Sequence, residues 1–195
     1  AAMPFMTAIL GYIFLKEKVS TITFTSIIIA AIGITFMAFT SRYVGTLFGL
    51  AIGLLSSFGF SIFSVSLRWK KNTPTFTTVA VAGLFCATFS FIVLMFSDTG
   101  FFTTFRNSSL SALHGTLVCA GMILYSIGSK HLPAADLTLL SLTEVLGGIF
   151  WVWVPFMGIN EIPSTNTIIG GSIITFALIY YSLNTKRNRR FIGLN

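Results

Sequence analysis

Glu144 is the side chain whose setting most demands an explanation. It is the one formally charged residue well inside a long apolar window, about 10 Å from the inner end of its helix by helical rise. A carboxylate in hydrocarbon is costly unless it is paired, protonated or hydrated. Two roles follow. One is proton coupling, or contact with a cationic group on a substrate. The other is structural, a hydrogen bond to nearby backbone or to Lys130. Gly147 and Gly148 leave space beside the carboxylate. Trp151, seven residues on, lies near the same helical face. Pro155 removes an amide donor from that helix and permits a kink. Tyr125 and Ser126 carry hydroxyls at a comparable inner depth. Glu144, Gly148, Trp151 and Tyr125 are therefore the candidate lining of a cavity for substrate binding or coupling.

The other reactive side chains offer less. His114 and His131 are isolated, and His131 adjoins Lys130 in a short loop. Cys86 and Cys119 fall inside apolar runs and read as buried small hydrophobes rather than as a disulfide or a metal site. No HExxH, GxSxG or Gly-rich phosphate loop occurs. Glu17, Asp98 and Glu161 mark span ends, where water reaches them. Asp136 opens a helix and reads as its cap. The expectation is a protein that is not an enzyme, with no cofactor and no metal. Any energy it uses comes from gradients or from a partner.

The elements that must carry these residues follow from composition. The chain has 195 residues, 54% apolar and 9% charged, with a mean hydropathy of +0.89. A soluble domain carries about 25% charged residues. Five acids and twelve bases cannot cover a water-soluble particle of this size, and disorder and coiled coil are excluded for the same reason. The net charge of +7 is not spread as on a nucleic-acid surface: four bases sit in one tail (Lys186, Arg187, Arg189, Arg190) and most others lie in gaps between apolar runs.

A spanning helix needs about 20 nearly uncharged residues. The windows Val19–Ser41, Tyr43–Leu67, Asn72–Ser97, Asn107–Ser129 and Ile162–Thr185 qualify, and Leu137–Asn160 does so with Glu144 inside it. The opening run, Ala1 to Leu15, is roughly 22 Å long as a helix and too short to span. With it the chain has seven spans, and it reads as having lost an N-terminal portion. Placing the basic tail in the cytoplasm and alternating backward puts Lys130, Arg68, Lys70, Lys71, Lys16 and Lys18 inside, and only Arg106 and Arg42 outside. Phe101, Phe102 and Phe105 then read as outer interfacial anchors. Trp151 and Trp153 serve equally as belt residues or as stacking groups for a substrate.

Small residues recur every fourth position at Gly45, Gly49, Gly53, Ser57 and Ser61. Such a ridge lets helix backbones approach closely in lipid, where packing drives association. It reads first as a helix–helix seam, and in a transporter the same seam can slide. Pro4–Ala38 and Glu144–Leu178 resemble each other. Each has an apolar helix ending at a Glu (Glu17, Glu161), a Ser three residues later (Ser20, Ser164) that suits an N-cap, and a second apolar helix. The copies stand five spans apart, so they run in opposite directions, as in the inverted repeats of secondary transporters.

Three segments carry a wider resemblance: "AAMPFMTAILGYIFLKEKVS" (Ala1–Ser20), "KHLPAADLTLLS" (Lys130–Ser141) and "TEVLGGIFWVWVPFMGINEIPSTNTIIGGSIITFA" (Thr143–Ala177). With them the chain resembles the EamA-type members of the drug/metabolite transporter superfamily. The resemblance implies an all-α, ten-helix membrane fold of two inverted five-helix repeats with both termini cytoplasmic. This chain would hold helices four to ten. Residues 1–40 would be the last two helices of the first repeat, 43–185 the second repeat and 186–195 a basic cytoplasmic tail. It further implies a secondary transporter of small amino-acid-like or drug-like metabolites in a prokaryotic plasma (inner) membrane, working by alternating access toward efflux. The partners are then a small-molecule substrate and the lipid bilayer, with proton or ion coupling and homo-oligomerisation open and no nucleic acid. A non-transporting assembly subunit that packs through the Gly45–Ser61 ridge is the competing reading.

Overall fold

The computed structural model describes residues 2–38, 47–70, 72–97, 104–154 and 162–191. The described residues form helices and no strand: α1 (Ala2–Leu15), α2 (Thr21–Ala38), α3 (Leu47–Trp69), α4 (Thr75–Met95), α5 (Phe105–Gly128), α6 (Ala134–Leu140), α7 (Thr143–Trp153) and α8 (Thr165–Phe191). Among the described residues six stretches are long and apolar enough to cross a membrane: Thr21–Ala38, Ala51–Trp69, Thr75–Met95, Phe105–Gly128, Ala134–Trp153 and Thr165–Thr185. They fall on the six windows between charges, and the chain is an all-α polytopic membrane protein. The window holding Glu144 is broken by a turn at Ser141 and Leu142, which divides α6 from α7. Hydroxyls serve the carbonyls there: Ser141 Oγ donates to Thr138 O (2.8 Å) and Thr143 Oγ1 to Leu140 O (2.9 Å). Backbone groups freed inside a span need such partners, because hydrocarbon supplies none.

The helices form two compact units, residues 1–66 with 133–195, and residues 67–132. This division follows packing, whereas the 1–40 and 43–185 division above is what the family resemblance implies. In the first unit Ile27, Ala30, Leu139, Leu142, Ile174, Ala177, Leu178 and Tyr181 make the core. Its centre is the crossing of α2 and α8. A Cβ on Gly33 would stand 2.7 Å from the carbonyl oxygen of Gly170, and one on Gly170 would strike Met37. Gly33 also faces Ile174. Moving back along α2 thus moves forward along α8, so the two helices are antiparallel. Only glycine at these two positions lets the backbones meet so closely.

Both capping serines act as their spacing predicts. Ser20 Oγ accepts from Thr23 N–H at 3.0 Å and Ser164 Oγ from Thr167 N–H at 3.2 Å. In each case the Ser and Thr hydroxyls also bond to each other, at 2.8 and 2.9 Å. When Ser20 is set on Ser164, Ser26, Ile27, Ala30 and Gly33 align with Gly170, Gly171, Ile174 and Ala177. All of these are buried, so the two helices present equivalent faces to each other.

The second unit is built on α4 and α5, with the last turn of α3. Arg68 Nη1 donates to the carbonyls of Lys130 (2.9 Å) and Ser129 (3.3 Å), a cation placed where the α5 C-terminal carbonyls carry partial negative charge. Leu84, Phe85, Phe89, Leu113 and Leu117 are exposed. Hydroxyls along these helices donate to their own backbone, as Thr88 does to Leu84 and Thr116 to Ala112. Such surfaces suit hydrocarbon, which solvates apolar side chains and tolerates hydroxyls satisfied internally. Cys86 and Cys119 are free thiols on exposed helix faces rather than buried ones. An apolar run fixes a span, but it does not say which of its faces meets protein.

Candidate functional site

Helix α7 organises the candidate site. Val145, Leu146, Ile149 and Val152 are half-buried, and Val145 and Leu146 pack on the core. Glu144, Gly148 and Trp151 are all exposed, one above the other on a shared face at helical spacing. A Cβ on Gly148 would meet nothing within 4 Å, so the space beside Glu144 is open. Trp151 is 53% exposed and makes an edge contact with Phe150, ring centroids 5.8 Å apart. Glu144 lies in the first turn of α7, where the helix dipole favours a carboxylate. Among the described residues its carboxylate has no hydrogen bond or ion pair. Tyr125, the fourth candidate, is half-buried on α5 in the second unit, and its carbonyl accepts from Ser129 N–H at 2.9 Å. Three candidates thus share one helix face, and the fourth belongs to the other unit. Pro155 and Glu161 lie outside the described residues, as do Arg42, Lys71, Asp98, Phe101 and Phe102, and so do the side chains of the basic tail.

The other flank of α7 forms a groove with α8. Leu146, Ile149, Trp153, Ile168, Gly171 and Phe176 are among its lining, and its volume is about 560 Å³. The hydroxyls of Ser172 and Thr175 that border it donate to Ile168 O and Gly171 O, each at 2.8 Å. The groove is therefore apolar in effect.

The proposed ridge on α3 takes three settings. Gly45 lies outside the described residues. Gly49 and Gly53 are exposed, and a Cβ on Gly53 would meet nothing within 4 Å. Ser57 is half-buried, while Ser61 is fully buried and donates to Ser57 O (2.8 Å) and Met3 O (3.2 Å).

Two acids behave differently from expectation. Asp136 does not cap its own helix: Pro133 holds that position with no side-chain cap, and Asp136 Oδ1 accepts from Thr23 Oγ1 at 2.6 Å. Glu17, expected in water at a span end, is half-buried, and its Oε2 accepts from the amide of Ala134 at 3.1 Å. The carboxylate of one loop thus caps α6, and the acid of α6 holds the hydroxyl that begins α2. Lys16 makes this possible. Its φ of 55° is left-handed, and the chain turns there sharply enough for Glu17 N–H to reach Gly11 O at 3.3 Å. No local motif announces the pairing, because its members lie more than a hundred residues apart.

No family profile matches the chain, and no solved structure gives a significant match. Two curated relatives do. The pseudopaline exporter CntI of Pseudomonas aeruginosa strain UCBPP-PA14 is 25% identical over 186 residues, and that of strain PAO1 is 24% identical over 186 residues. Each alignment covers 94% of this chain and 63% of the relative, so the chain spans under two thirds of their length. The six spanning helices and this likeness together describe a polytopic α-helical membrane protein similar in sequence to a bacterial membrane exporter.

Proposed function

We propose that the chain is the larger part of a secondary transporter of the EamA type, in the drug/metabolite transporter superfamily. It moves a small organic metabolite outward across a prokaryotic inner membrane by alternating access, with its C-terminus in the cytoplasm. The observation that carries this is the open face of α7. A carboxylate, a glycine and a tryptophan stand there in line within a spanning stretch. An ionised carboxylate does not face lipid without large cost, so that face lines water, substrate or protein. The likeness to a named exporter supports the same reading. So do the matched buried faces of antiparallel α2 and α8, which are what an inverted repeat produces at its own axis. Glu144 acts in coupling or in holding a cationic group of the cargo, and Trp151 offers a stacking surface.

The test is counterflow in proteoliposomes with the full-length protein and a panel of labelled small metabolites, including the cargo for which CntI is named. Saturable exchange that Glu144→Gln abolishes without loss of folded protein is the expected result. Undiminished exchange in that variant removes the coupling role. No exchange across the panel favours the second reading, an assembly subunit, for which the exposed Gly49 and Gly53 speak.

A further inference from the structure

Between the α1–α2 loop and the start of α6 lies a partly open cavity of about 60 Å³, lined by residues that include Thr7, Glu17, Lys18, Ser20, Thr23 and Asp136. That is room for a few waters or one small ion. Thr7 is 0% exposed, and its Oγ1 is a buried polar atom with no hydrogen-bond partner. Buried hydroxyls without partners are rare and costly. A ligand in this cavity removes that cost.

The hydrogen bonds around it decide the sign of that ligand. Thr23 Oγ1 donates to Asp136 Oδ1, so in the pair with Ser20 it is Ser20 that donates. Ser20 Oγ meanwhile accepts from Thr23 N–H. Both hydroxyl protons are committed along the chain toward Asp136, and what remains on these oxygens is lone pairs. Among the described residues Asp136 Oδ2 has no hydrogen bond. An all-oxygen acceptor set selects a hard cation. The lining carries two carboxylates and one lysine, and no group of three potential metal ligands of the His, Cys, Asp and Glu kind occurs among the described residues. That balance matches a single positive charge rather than a divalent or transition metal.

We infer that this cavity is a monovalent-cation site, suited to sodium, in which Thr7 Oγ1 and Asp136 are the principal ligands and Ser20 and Thr23 complete the oxygen set. It ties the middle of α1, the start of α2 and the start of α6 through one ion. The site rests on the cavity and its hydrogen bonds and not on the transport reading.

The test is sodium-22 binding to the detergent-solubilised chain at neutral pH, with choline as the balancing cation, alongside melting curves in the same solutions. Saturable binding and a sodium-dependent rise in melting temperature are expected, with choline without effect. Thr7→Val keeps shape and removes the oxygen, and it should weaken sodium about tenfold, the worth of one hydrogen bond to a charge. Asp136→Asn should abolish the binding; should it not fold, Thr7→Val decides. Absence of saturable sodium binding, or unchanged affinity in Thr7→Val, overturns the site and leaves a water there. No cargo enters this measurement, so it fails or succeeds apart from the counterflow assay.

Discussion

Gly33→Ala and Gly53→Ala add the same methyl group to two spanning helices and should have different consequences. At Gly33 the new carbon would stand 2.7 Å from Gly170 O, 3.0 Å from Ile174 Cγ1 and 3.1 Å from Ile173 Cγ2. The side chains can rotate, but the carbonyl belongs to the backbone of α8 and cannot. Contacts of this kind settle near 3.5–4.0 Å, so the helices must part by about 1 Å, and a gap of about 0.5–1 Å forfeits a quarter to a half of each contact across it. Overpacking of this sort costs about 1–3 kcal/mol. At Gly53 the carbon meets nothing within 4 Å. Both variants gain the same helix propensity, about 1 kcal/mol, so that term cancels between them. The difference isolates the crossing: about 1–3 kcal/mol, or roughly fivefold to over a hundredfold in the folding equilibrium. Reversible unfolding in mixed micelles, followed by tryptophan fluorescence, measures it. Equal midpoints would show that the α2–α8 crossing has slack. A greater loss at Gly53 would show that the α3 ridge is the tighter seam once the protein is assembled.

Four further outcomes follow from the caps and the loop. Ser164→Ala should destabilise by about 1 kcal/mol, the usual worth of an N-cap. Ser20→Ala should lose more, because it also removes the hydroxyl that orients Thr23 toward Asp136; equal losses in the same unfolding assay would deny that linkage. Lys16→Gly should raise stability by up to about 1 kcal/mol, since glycine adopts the left-handed conformation without steric cost, and a drop in midpoint would mean that the lysine side chain supports the turn. Glu17→Ala should cost about 1 kcal/mol as the amide of Ala134 loses its acceptor. Protease sensitivity at the start of α6 should rise with it, and unchanged sensitivity would count against Glu17 as the cap of α6.

The spans were legible in the sequence because hydrocarbon imposes a one-dimensional rule: about twenty uncharged residues in a row, whatever their order. The two serine caps were legible because a cap is local, its donor lying three residues from its acceptor. The shared face of Glu144, Gly148 and Trp151 follows from helical periodicity alone. What lies across from a helix face is another matter. In lipid, the apolar residues that face protein and those that face hydrocarbon are chemically alike, so Cys86 and Cys119 gave no sign of being exposed. The small-residue ridge on α3 gave no sign that, of its described members, Ser61 is buried while Gly49 and Gly53 are exposed, nor did Gly33 and Gly170 stand out from the other glycines of the chain. From its position Glu17 looks like a hydrated span end, and Asp136 like the cap of its own helix. Only the packing of α1, α2 and α6 makes each the partner of the other's loop, because a hydrogen bond across more than a hundred residues depends on where two helices start in space. Composition, charge order and periodicity thus determined that this protein lies in a membrane and where it crosses. Tertiary structure alone decided which glycines touch, which acids are held and where hydroxyls and carboxylates gather at a cavity, because those are properties of pairs of surfaces and not of any one segment.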